Sequence, residues 1–355
     1  MKKNPLFVCI TLLSAIQLKA QMPALVEVAQ FGKFQPIGLA VSKAGRIFVT
    51  FPKREQYEFG LAEIKDGKRV PYPDTVWNKY DTLNTAEHFT NVQALWTDKE
   101  NKLWVLDPAN PSGGPTIPEG VKLLKIDIDS NRVERIYRFE DLRREQTALN
   151  DVRIDNERQL AYLSDPKQAC IVVLNLKTGK SRLVLKNEPS TKADTTFVLN
   201  IDGKDVINQE GKAFSSNVNG LAFYNDYLFF RPINQTKLYR ISASYLADST
   251  LSGSQLTQRV EHIDDVGVSH GMIADEKGNI YLSDSPDNAI RYVTRNGTLK
   301  VLIEDKRLTW PDSFAIGPDN YLYVTCSQIN RTPAYNNGED RVEYPFRLFK
   351  VKLPE

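Results

Sequence analysis

The sequence predicts an all-β protein, a six-bladed β-propeller with four-stranded antiparallel blades. One hairpin pattern recurs six times, and apolar runs between the copies bring the total to about four strands per copy. Helix-forming segments are scarce. A propeller repeats four-stranded sheets around an axis and so leaves few exposed strand edges. Two β-sandwiches would also contain many strands, but they would not require six copies of one hairpin.

Each hairpin consists of an apolar strand, a polar turn that often contains Asp or Gly, and a second apolar strand. Equivalent positions in successive copies are 55, 58, 69, 51 and 42 residues apart. One blade needs about 40–50 residues, so the excess belongs to loops. The predicted strand pairs are 37–41 with 47–50, 92–96 with 103–107, 150–154 with 161–165, 219–223 with 228–231, 270–274 with 280–284, and 312–316 with 322–326.

The remaining elements complete the blades and connect them. We expect residues 347–351 to complete the sixth blade and residues 25–29 to supply its outer strand, which closes the ring. The best helix candidate covers residues 140–149. Long segments without strand patterns are usually functional or disordered, and they lie at 51–91, 108–120 and 186–217. Phe197, Val198, Leu199, Ile201 and Phe214 in the last segment predict a loop packed over the ring.

Composition and charge narrow the class of protein. The chain has 355 residues, of which 41% are apolar and 25% charged, as in packed soluble proteins. This excludes a disordered chain and a disulfide-stapled miniprotein. Cys170 and Cys326 lie in strand-like runs, and we expect two small buried apolar side chains rather than a disulfide.

Residues 1–20 are typical of a secretory signal, with Lys2 and Lys3 before an apolar run and Ala20 at the expected cleavage site. An uncleaved anchor is the alternative. Cleavage would leave one propeller domain at 21–355, with 43 basic against 44 acidic residues. That balance argues against nucleic acid or anionic membranes as partners. We predict a secreted or periplasmic protein, without a membrane span after cleavage and with a monomer favoured.

In four of the six hairpins, those of blades 3 to 6, a polar residue stands at the position that precedes the first strand. The first strand leaves one face of the ring and the second returns to it, so these residues meet at one mouth of the central channel. The residues before strand one are Ile37, Val92, Asn150, Asn219, His270 and Asp312, and those that end strand two are Phe51, Asp107, Asp165, Arg231, Asp284 and Cys326.

The pattern predicts a binding site for a small molecule at this mouth. Its candidate ligand-binding residues are Asn150, Asn219, His270 and Asp312, with Arg54, Arg231 and Trp310 at the rim. The alternative is that the Asn and Asp side chains only bond the backbone of turns. Trp310 is also placed to stack on an aromatic or cationic ligand.

Two residues are candidates for catalysis. His270 is a candidate general base, with Asp284 or Asp312 orienting its ring, because imidazole titrates near neutral pH. Asp312 is the second catalytic candidate. A hydrogen-bonded structural histidine is the alternative for His270. The sequence contains no G-x-S-x-G, phosphate-binding glycine loop or H-E-x-x-H motif.

A metal site at the same mouth is a separate prediction. Oxygen atoms of Asn150, Asn219 and Asp312 suit Ca²⁺, which takes six to eight oxygen ligands. Ile37 and Val92 contribute no ligand, and His270 stands where an oxygen would help. We therefore expect no required cofactor, with Ca²⁺ as the metal if one binds. Three histidines are too few and too scattered for a His-rich zinc site.

Several segments together resemble the Yellow and major royal jelly protein family. They are V-P-Y-P-D at 70–74 with W-N at 77–78, V-Q-A-L-W at 92–96 leading to L-W-V-L-D at 103–107, L-N-D-V-R at 149–153, and L-T-W-P-D at 308–312. The resemblance covers about residues 25–350 and implies a secreted six-bladed propeller; the amino-terminal signal fits a bacterial member. Insect relatives include proteins of pigment formation, binders of biogenic amines and nutritional proteins, so the family has no single activity.

The resemblance also carries expectations for the site. In the amine binders a polar residue and an aromatic residue after the last hairpin contact the ligand; here Ser327 and Ile329 hold those positions, and the aromatic contact is missing. A more distant similarity is to gluconolactonase-like propellers, which hold calcium in the channel. Asn150 and Asn219 match their asparagine positions, but His270 replaces an aspartate and no glutamate lies near Ile37.

Three functions remain open at this point. The first is a channel site that binds a small polar or aromatic metabolite, gated by the 51–91 and 186–217 loops, with isomerase-type proton transfer through His270. The second is a metal-dependent lactonase or esterase. The third is a non-enzymatic interaction protein that uses its loops, and it predicts a closed channel.

Overall fold

A computed structural model describes residues 23–354, which form a ring of six four-stranded antiparallel sheets. The predicted six-bladed propeller is confirmed. The signal predicted for residues 1–20 lies outside the described residues and stays a prediction. Neither α-helix within residues 23–354 exceeds five residues, and no described helix is long and apolar enough to cross a membrane.

The strands of each blade follow one another along the chain from the channel outwards. Blade 1 contains Leu39–Val41, Ile47–Thr50, Leu61–Lys65 and Lys68–Pro71; blade 2 contains Leu95–Thr97, Lys102–Asp107, Lys122–Asp127 and Arg132–Tyr137; blade 3 contains Val152–Asp155, Leu160–Asp165, Cys170–Asn175 and Ser181–Val184. Blade 4 contains Val218–Tyr224, Tyr227–Pro232, Lys237–Ser242 and Glu261–Asp265; blade 5 contains Met272–Ala274, Ile280–Asp284, Ala289–Val293 and Leu299–Glu304.

Blade 6 closes the ring with strands from both ends of the chain. Pro311–Ile316, Tyr321–Cys326 and Arg347–Lys352 form its inner three strands, and Val26–Gln30 adds its outer strand. Arg347 and Glu27 reinforce this pairing with an ion pair of 3.1 Å. The predicted closure is confirmed, and the amino-terminal strand covers an edge that would otherwise be open.

Within the described part of the chain, helical structure is confined to connections. The helix predicted for residues 140–149 is wrong, since only a 3-10 turn at Arg144–Gln146 forms there, and no side chain caps its start. The chain then runs extended so that Leu149 reaches the core. The α-helices are Ala243–Ala247 and Gly253–Thr257, capped by Ser242 and Ser252. The other 3-10 turns are Pro111–Gly113, Pro118–Gly120, Ile329–Arg331 and Pro333–Tyr335.

Apolar side chains fill the spaces between neighbouring blades, as the alternation along the strands requires. Cys170 and Cys326 are buried and free, and they belong to two different clusters. The expectation of two small buried apolar side chains is therefore confirmed. Their burial raises the pKa of the Cys170 thiol to about 12, so this thiol is protonated and unreactive at neutral pH.

Hydroxyl groups at the end of the second strand join adjacent blades at the mouth. Thr50 Oγ1 donates to the carbonyl of Gln93 at 2.7 Å, which links blade 1 to blade 2. Ser164 Oγ donates to the carbonyl of Asn219 at 2.6 Å, and Thr325 Oγ1 donates to the carbonyl of Ile37 at 2.6 Å. These bonds fix the backbone of the mouth residues and leave their side chains free to face the channel.

The inner strands approach so closely that glycine is required beside the mouth. A Cβ atom on Gly271 would lie 1.9 Å from the carbonyl oxygen of Asp312, and one on Gly220 would lie 2.5 Å from that of His270. Both obstacles are backbone atoms, which cannot rotate away. The two glycines therefore set the spacing of the His270 and Asp312 backbones.

The expectation of one long loop at 51–91 is wrong, because Leu61–Lys65 and Lys68–Pro71 form the two outer strands of blade 1. The rest of that segment, residues 72–91, is a loop anchored by a buried ion pair. Lys122 Nζ lies 3.1 Å from Asp107 Oδ2, and both side chains are fully buried. The ammonium also donates to the Thr85 carbonyl, while Asp107 accepts from the N–H groups of Thr90 and Asn91. These bonds hold the end of the loop against blade 2.

The 186–217 loop lies over the ring, as expected. It contains a short hairpin, Asn200–Ile201 with Lys204–Asp205, whose Ile201 is buried in a cluster with Trp310. Phe214 packs edge-on against Trp310, with ring centroids 5.1 Å apart. Val198, by contrast, is exposed. The loop thus forms a roof beside the channel mouth.

Candidate functional site

The candidate site is a cavity at one mouth of the central channel. Asn150, Asn219, His270 and Asp312 all line it, although they come from four different blades. Its volume is about 30 Å³, enough for about two water molecules. The other lining residues are Ile37, Leu39, Gln93, Ala94, Leu95, Asp151, Arg153, Gly271, Met272, Ser313 and Phe314.

Blade 2 contributes an amide, which the sequence analysis did not assign. Val92 is fully buried in the core, and Gln93 takes the place at the cavity instead. The sequence analysis placed Val92 at the mouth. The register of the inner strand of blade 2 is therefore shifted by one residue from this prediction. Side chains of a strand alternate between faces, so a shift of one residue exchanges the side chain that faces the channel.

His270 is the most unusual side chain of the site. It is 3% exposed, and neither Nδ1 nor Nε2 has a hydrogen-bond partner. Its ring stacks on Trp310 with centroids 4.2 Å apart. Burial, together with the positive charge of Arg231, lowers its pKa to about 3, so the imidazole is neutral at physiological pH.

The expectation that Asp284 or Asp312 orients the His270 ring is wrong. Both ring nitrogens are unpartnered, and Asp284 instead pairs with Arg291 at 2.5 Å. Stacking on Trp310 holds the ring in place. Trp310 has a φ of 53°, in the left-handed region that bulky residues rarely adopt, and this turn brings the indole under the imidazole.

Asp312 is half-buried beside His270 along the ring of mouth residues. Burial raises the pKa of its carboxyl group to about 6, against the opposing effects of Ser327 and Arg54. Ser327 Oγ donates to Asp312 Oδ2 at 2.7 Å. A carboxyl group with this pKa changes its protonation state near neutral pH, which is a property of acid–base groups in enzymes.

The two asparagines present amide groups to the cavity and are half-buried. Asn219 Nδ2 donates a long bond of 3.3 Å to Ser216 Oγ. The backbone of Asn150 donates to the Ser164 carbonyl at 2.9 Å, which places its side chain at the start of the inner strand. Each amide offers both a donor and an acceptor to a bound molecule.

Arg153 reaches across the channel to other blades, and sequence analysis did not single it out. Its guanidinium group extends from blade 3 to the Met272 carbonyl of blade 5 at 2.7 Å and lies over the Trp96 ring of blade 2. It pairs with Asp151 at 2.6 Å. The L-N-D-V-R segment contained the signal, because Asp and Arg two residues apart on a strand face the same side.

The three residues predicted at the rim lie elsewhere or play other parts. Arg231 is fully buried and donates to the backbone carbonyl of Gly267 at 2.5 Å, so its placement at the rim is wrong. Trp310 is 1% exposed and supports His270 from behind rather than facing a ligand. Arg54 is half-buried, donates to Gln35 at 3.3 Å and lowers the pKa of Asp312 by its charge.

The carboxylates at the ends of the second strands serve the fold. Asp107 accepts backbone N–H groups and the Lys122 ammonium, and Asp165 accepts the N–H groups of Ala148 and Gln168. Asp284 is held by Arg291. None of the three lines the cavity. At these positions the alternative is correct, namely that the Asp side chains bond the backbone of turns rather than a ligand.

Calcium does not fit the donors of this cavity. Asp151 Oδ1 already accepts from Val152 and Arg153, and its Oδ2 accepts from the Leu221 N–H group. The Arg153 guanidinium brings a positive charge into the same space, which opposes a divalent cation. Within residues 23–354, no group of three or more His, Cys, Asp or Glu side chains is arranged to hold a metal ion.

The fold and the cavity define a six-bladed β-propeller with a polar site at one end of its channel. The family model described as major royal jelly protein matches residues 90–354. The chain therefore belongs to the major royal jelly protein family, as the sequence resemblance implied. A comparison with curated proteins finds no match.

Solved propeller structures share the fold at low sequence identity. Virginiamycin B lyase from Staphylococcus aureus is 14% identical, with a TM-score of 0.54 over 93% of this chain and 99% of that one. A gluconolactonase from Xanthomonas campestris is 11% identical, with a TM-score of 0.54 over 96% and 94%. The calcium-binding regucalcin from Agrobacterium tumefaciens is 14% identical, with a TM-score of 0.54 over 92% and 95%. At such identities the likeness concerns the fold alone.

Proposed function

We propose that this propeller binds a small organic molecule at the channel mouth, with His270 as the central hydrogen-bonding group. One observation carries the proposal: a buried, neutral imidazole faces a polar cavity with both ring nitrogens unpartnered. A buried polar group without a partner costs about 1–3 kcal/mol, and native proteins rarely retain one without a use. A ligand with one donor and one acceptor would satisfy the ring.

The amides of Asn150 and Asn219 complete the recognition surface in this proposal. They flank His270 on the side of blades 3 and 4, and their donors and acceptors suit hydroxyl or carbonyl groups. The stacked Trp310 prevents the imidazole from turning away. Such support of a binding group by its neighbours keeps the ligand geometry fixed.

Proton transfer is the chemistry that we propose for a catalytic role. Asp312, with a pKa of about 6, is better suited than His270 to exchange a proton near neutral pH. His270 has a pKa of about 3 and would act as a neutral hydrogen-bond partner. The isomerase-type activity foreseen through His270 is therefore assigned to Asp312, with His270 positioning the substrate.

A molecule larger than about two waters needs more room than the present cavity. Phe214 of the 186–217 loop lies edge-on to His270, with ring centroids 6.4 Å apart. Movement of this loop would open the space above the imidazole. The narrow cavity also favours one rival, a non-enzymatic protein that binds partners through its loops, since that function predicts a closed channel.

The place of action is part of the proposal. We propose that residues 1–20 direct the chain out of the cytoplasm and are removed. Amino-terminal sequencing of protein recovered from the medium or periplasm tests this directly. A mature chain that still begins at Met1 would contradict it.

The site is tested by comparing two histidine variants. Metabolite extracts are screened for compounds that raise the melting temperature of the wild-type protein. His270→Ala should abolish the shift, as should Asn219→Ala, whereas His262→Ala, on the outer strand of blade 4, should retain it. An undiminished shift in His270→Ala would refute the site, and the absence of any stabilising compound would favour the interaction protein.

A further inference from the structure

A second pocket lies on the face of the ring opposite the channel mouth. The turns that join the first two strands of blades 2 and 3 supply Glu100, Asn156 and Gln159 to it. Because the first strand of each blade begins at the mouth, these turns lie at the other end of the blades. The volume of the pocket is about 200 Å³, against about 30 Å³ at the mouth. It has room for roughly a dozen water-sized groups, which is the size of one sugar ring with its hydroxyl groups.

A β-bulge in blade 2 brings an extra side chain to this pocket. Lys125 pairs with Arg135, and the next pair along the two strands is Ile126 with Val133. Glu134 lies between these pairs and is the extra residue of the bulge. Neighbours on a regular strand face opposite sides of the sheet, but Glu134 and Arg135 both line the pocket. Bulges re-aim side chains in this way and are over-represented beside functional sites.

Groups of opposite charge alternate along the blade 2 wall of the pocket. Lys125 Nζ lies 3.6 Å from Glu100 Oε2 and 3.7 Å from Glu134 Oε2. Both distances exceed that of a direct hydrogen bond, and polar groups so far apart are commonly bridged by an intervening molecule. A hydroxyl group placed between them can accept from the ammonium group and donate to a carboxylate at the same time.

The blade 3 wall of the pocket adds two amide groups. Asn156 Nδ2 donates to Asp98 Oδ2 at 3.1 Å, and Gln159 Nε2 donates to the carbonyl of Asn156 at 2.7 Å. These bonds use amide nitrogens, so the two amide oxygens remain to accept from a ligand. Trp104 Nε1 donates to the same oxygen of Asp98 at 2.8 Å, which fixes the indole that lines the pocket. Trp104 is only 2% exposed and therefore supports the wall without offering a face for stacking.

We infer that this pocket binds one sugar unit, an uncharged ligand with several hydroxyl groups. Each hydroxyl group both donates and accepts, so it matches walls on which donors and acceptors alternate. A ligand with a single charge would meet Lys125 and Arg135 beside Glu100 and Glu134, with neither sign in excess. An apolar ligand would cover these groups without replacing their hydrogen bonds to water. The pocket is separate from the channel mouth, so the inference does not depend on the proposed function.

Simple glycosides test the inference. The methyl glycosides of glucose, galactose, mannose and N-acetylglucosamine are titrated into the full-length protein by isothermal titration calorimetry. L-Alanine, a zwitterion, and benzyl alcohol, a largely apolar molecule, are titrated for comparison. At least one glycoside should bind. No binding of any of the four glycosides would overturn the inference, as would binding of a comparison compound that Glu134→Gln weakens.

Variants test whether the glycoside binds at this pocket. Glu134→Gln keeps the shape of the side chain but removes its charge, so it should weaken binding about tenfold. Asn156→Ala, on the blade 3 wall, is a second variant and should also weaken binding. Glu276→Gln, an exposed glutamate in the corresponding turn of blade 5, is the matched control and should bind as wild type does, as should His270→Ala at the mouth. Binding that is unchanged in both Glu134→Gln and Asn156→Ala, or that is lost in His270→Ala, would overturn the inference.

Discussion

The raised pKa of Asp312 predicts that Asp312→Asn stabilises the protein at alkaline pH. The pKa of the carboxyl group rises from 3.8 to about 6 on folding, chiefly through burial. The folded state therefore binds this proton more tightly than the unfolded chain does. Stability contributed by the protonated form is lost as the pH rises through 6, and the ionised side chain then destabilises the fold.

The size of the effect follows from the shift. About two pKa units correspond to about 3 kcal/mol, and water at the half-buried carboxylate reduces this to about 1–3 kcal/mol. Asparagine cannot ionise, and its amide oxygen can still accept the Ser327 hydroxyl. Asp312→Asn should therefore exceed wild type in stability by about 1–3 kcal/mol at pH 8 and show little difference at pH 4.

Urea denaturation at pH 4, 6 and 8 measures this difference. His270, with a pKa of about 3, destabilises both proteins as the pH falls below its ordinary value of 6.5, so it cancels in the comparison at each pH. Asp129→Asn, an exposed control, should change stability by less than about 0.5 kcal/mol at every pH. An Asp312→Asn protein that is less stable at pH 8, or whose advantage does not depend on pH, would refute the reasoning. If Asp312→Asn is more stable than wild type but no longer responds to the ligand, then the ionisable carboxyl group of wild type lowers its stability and is needed for its function.

Three further predictions concern the fold and the metal. Gly271→Ala should destabilise the protein by about 3 kcal/mol in urea denaturation, because its Cβ would meet a backbone oxygen, whereas Gly253→Ala, with open space around it, should be nearly neutral. Lys122→Met should cost about 3 kcal/mol by the same assay, since it leaves Asp107 buried without its cation; an unchanged midpoint would contradict this role. Calcium or EDTA should leave the melting temperature of wild type unchanged, because Arg153 already supplies the positive charge; a calcium-dependent rise would contradict the fit of donors found here.

The repeat pattern was sufficient to predict the ring, because apolar alternation and turn residues are local properties of the sequence. Closure by residues 25–29 followed from counting strands. The helix expected at 140–149 did not form, because Leu149 and Asn150 must enter the core and the channel mouth in an extended conformation. There tertiary packing outweighed local propensity.

The site was predictable only in part. We could predict Asn150, Asn219, His270 and Asp312 from their place before the first strand of a hairpin. Equivalent positions of a repeat lie at the same mouth, and these four residues line the cavity there. This pattern did not reveal Arg153, whose guanidinium group reaches across the channel to another blade. Which residues a long side chain can contact depends on the width of the channel. A local sequence pattern does not determine that width.

Backbone and side-chain groups have separate roles at the channel mouth. The bonds that join neighbouring blades use the carbonyl groups of Ile37, Gln93 and Asn219, and every residue type has this group. The side chains at the same positions are therefore free to change without loss of the ring. Substitutions of His270 or Asp312 should therefore change the chemistry of the cavity without opening the ring, while Gly271 between them keeps the blades at a fixed spacing.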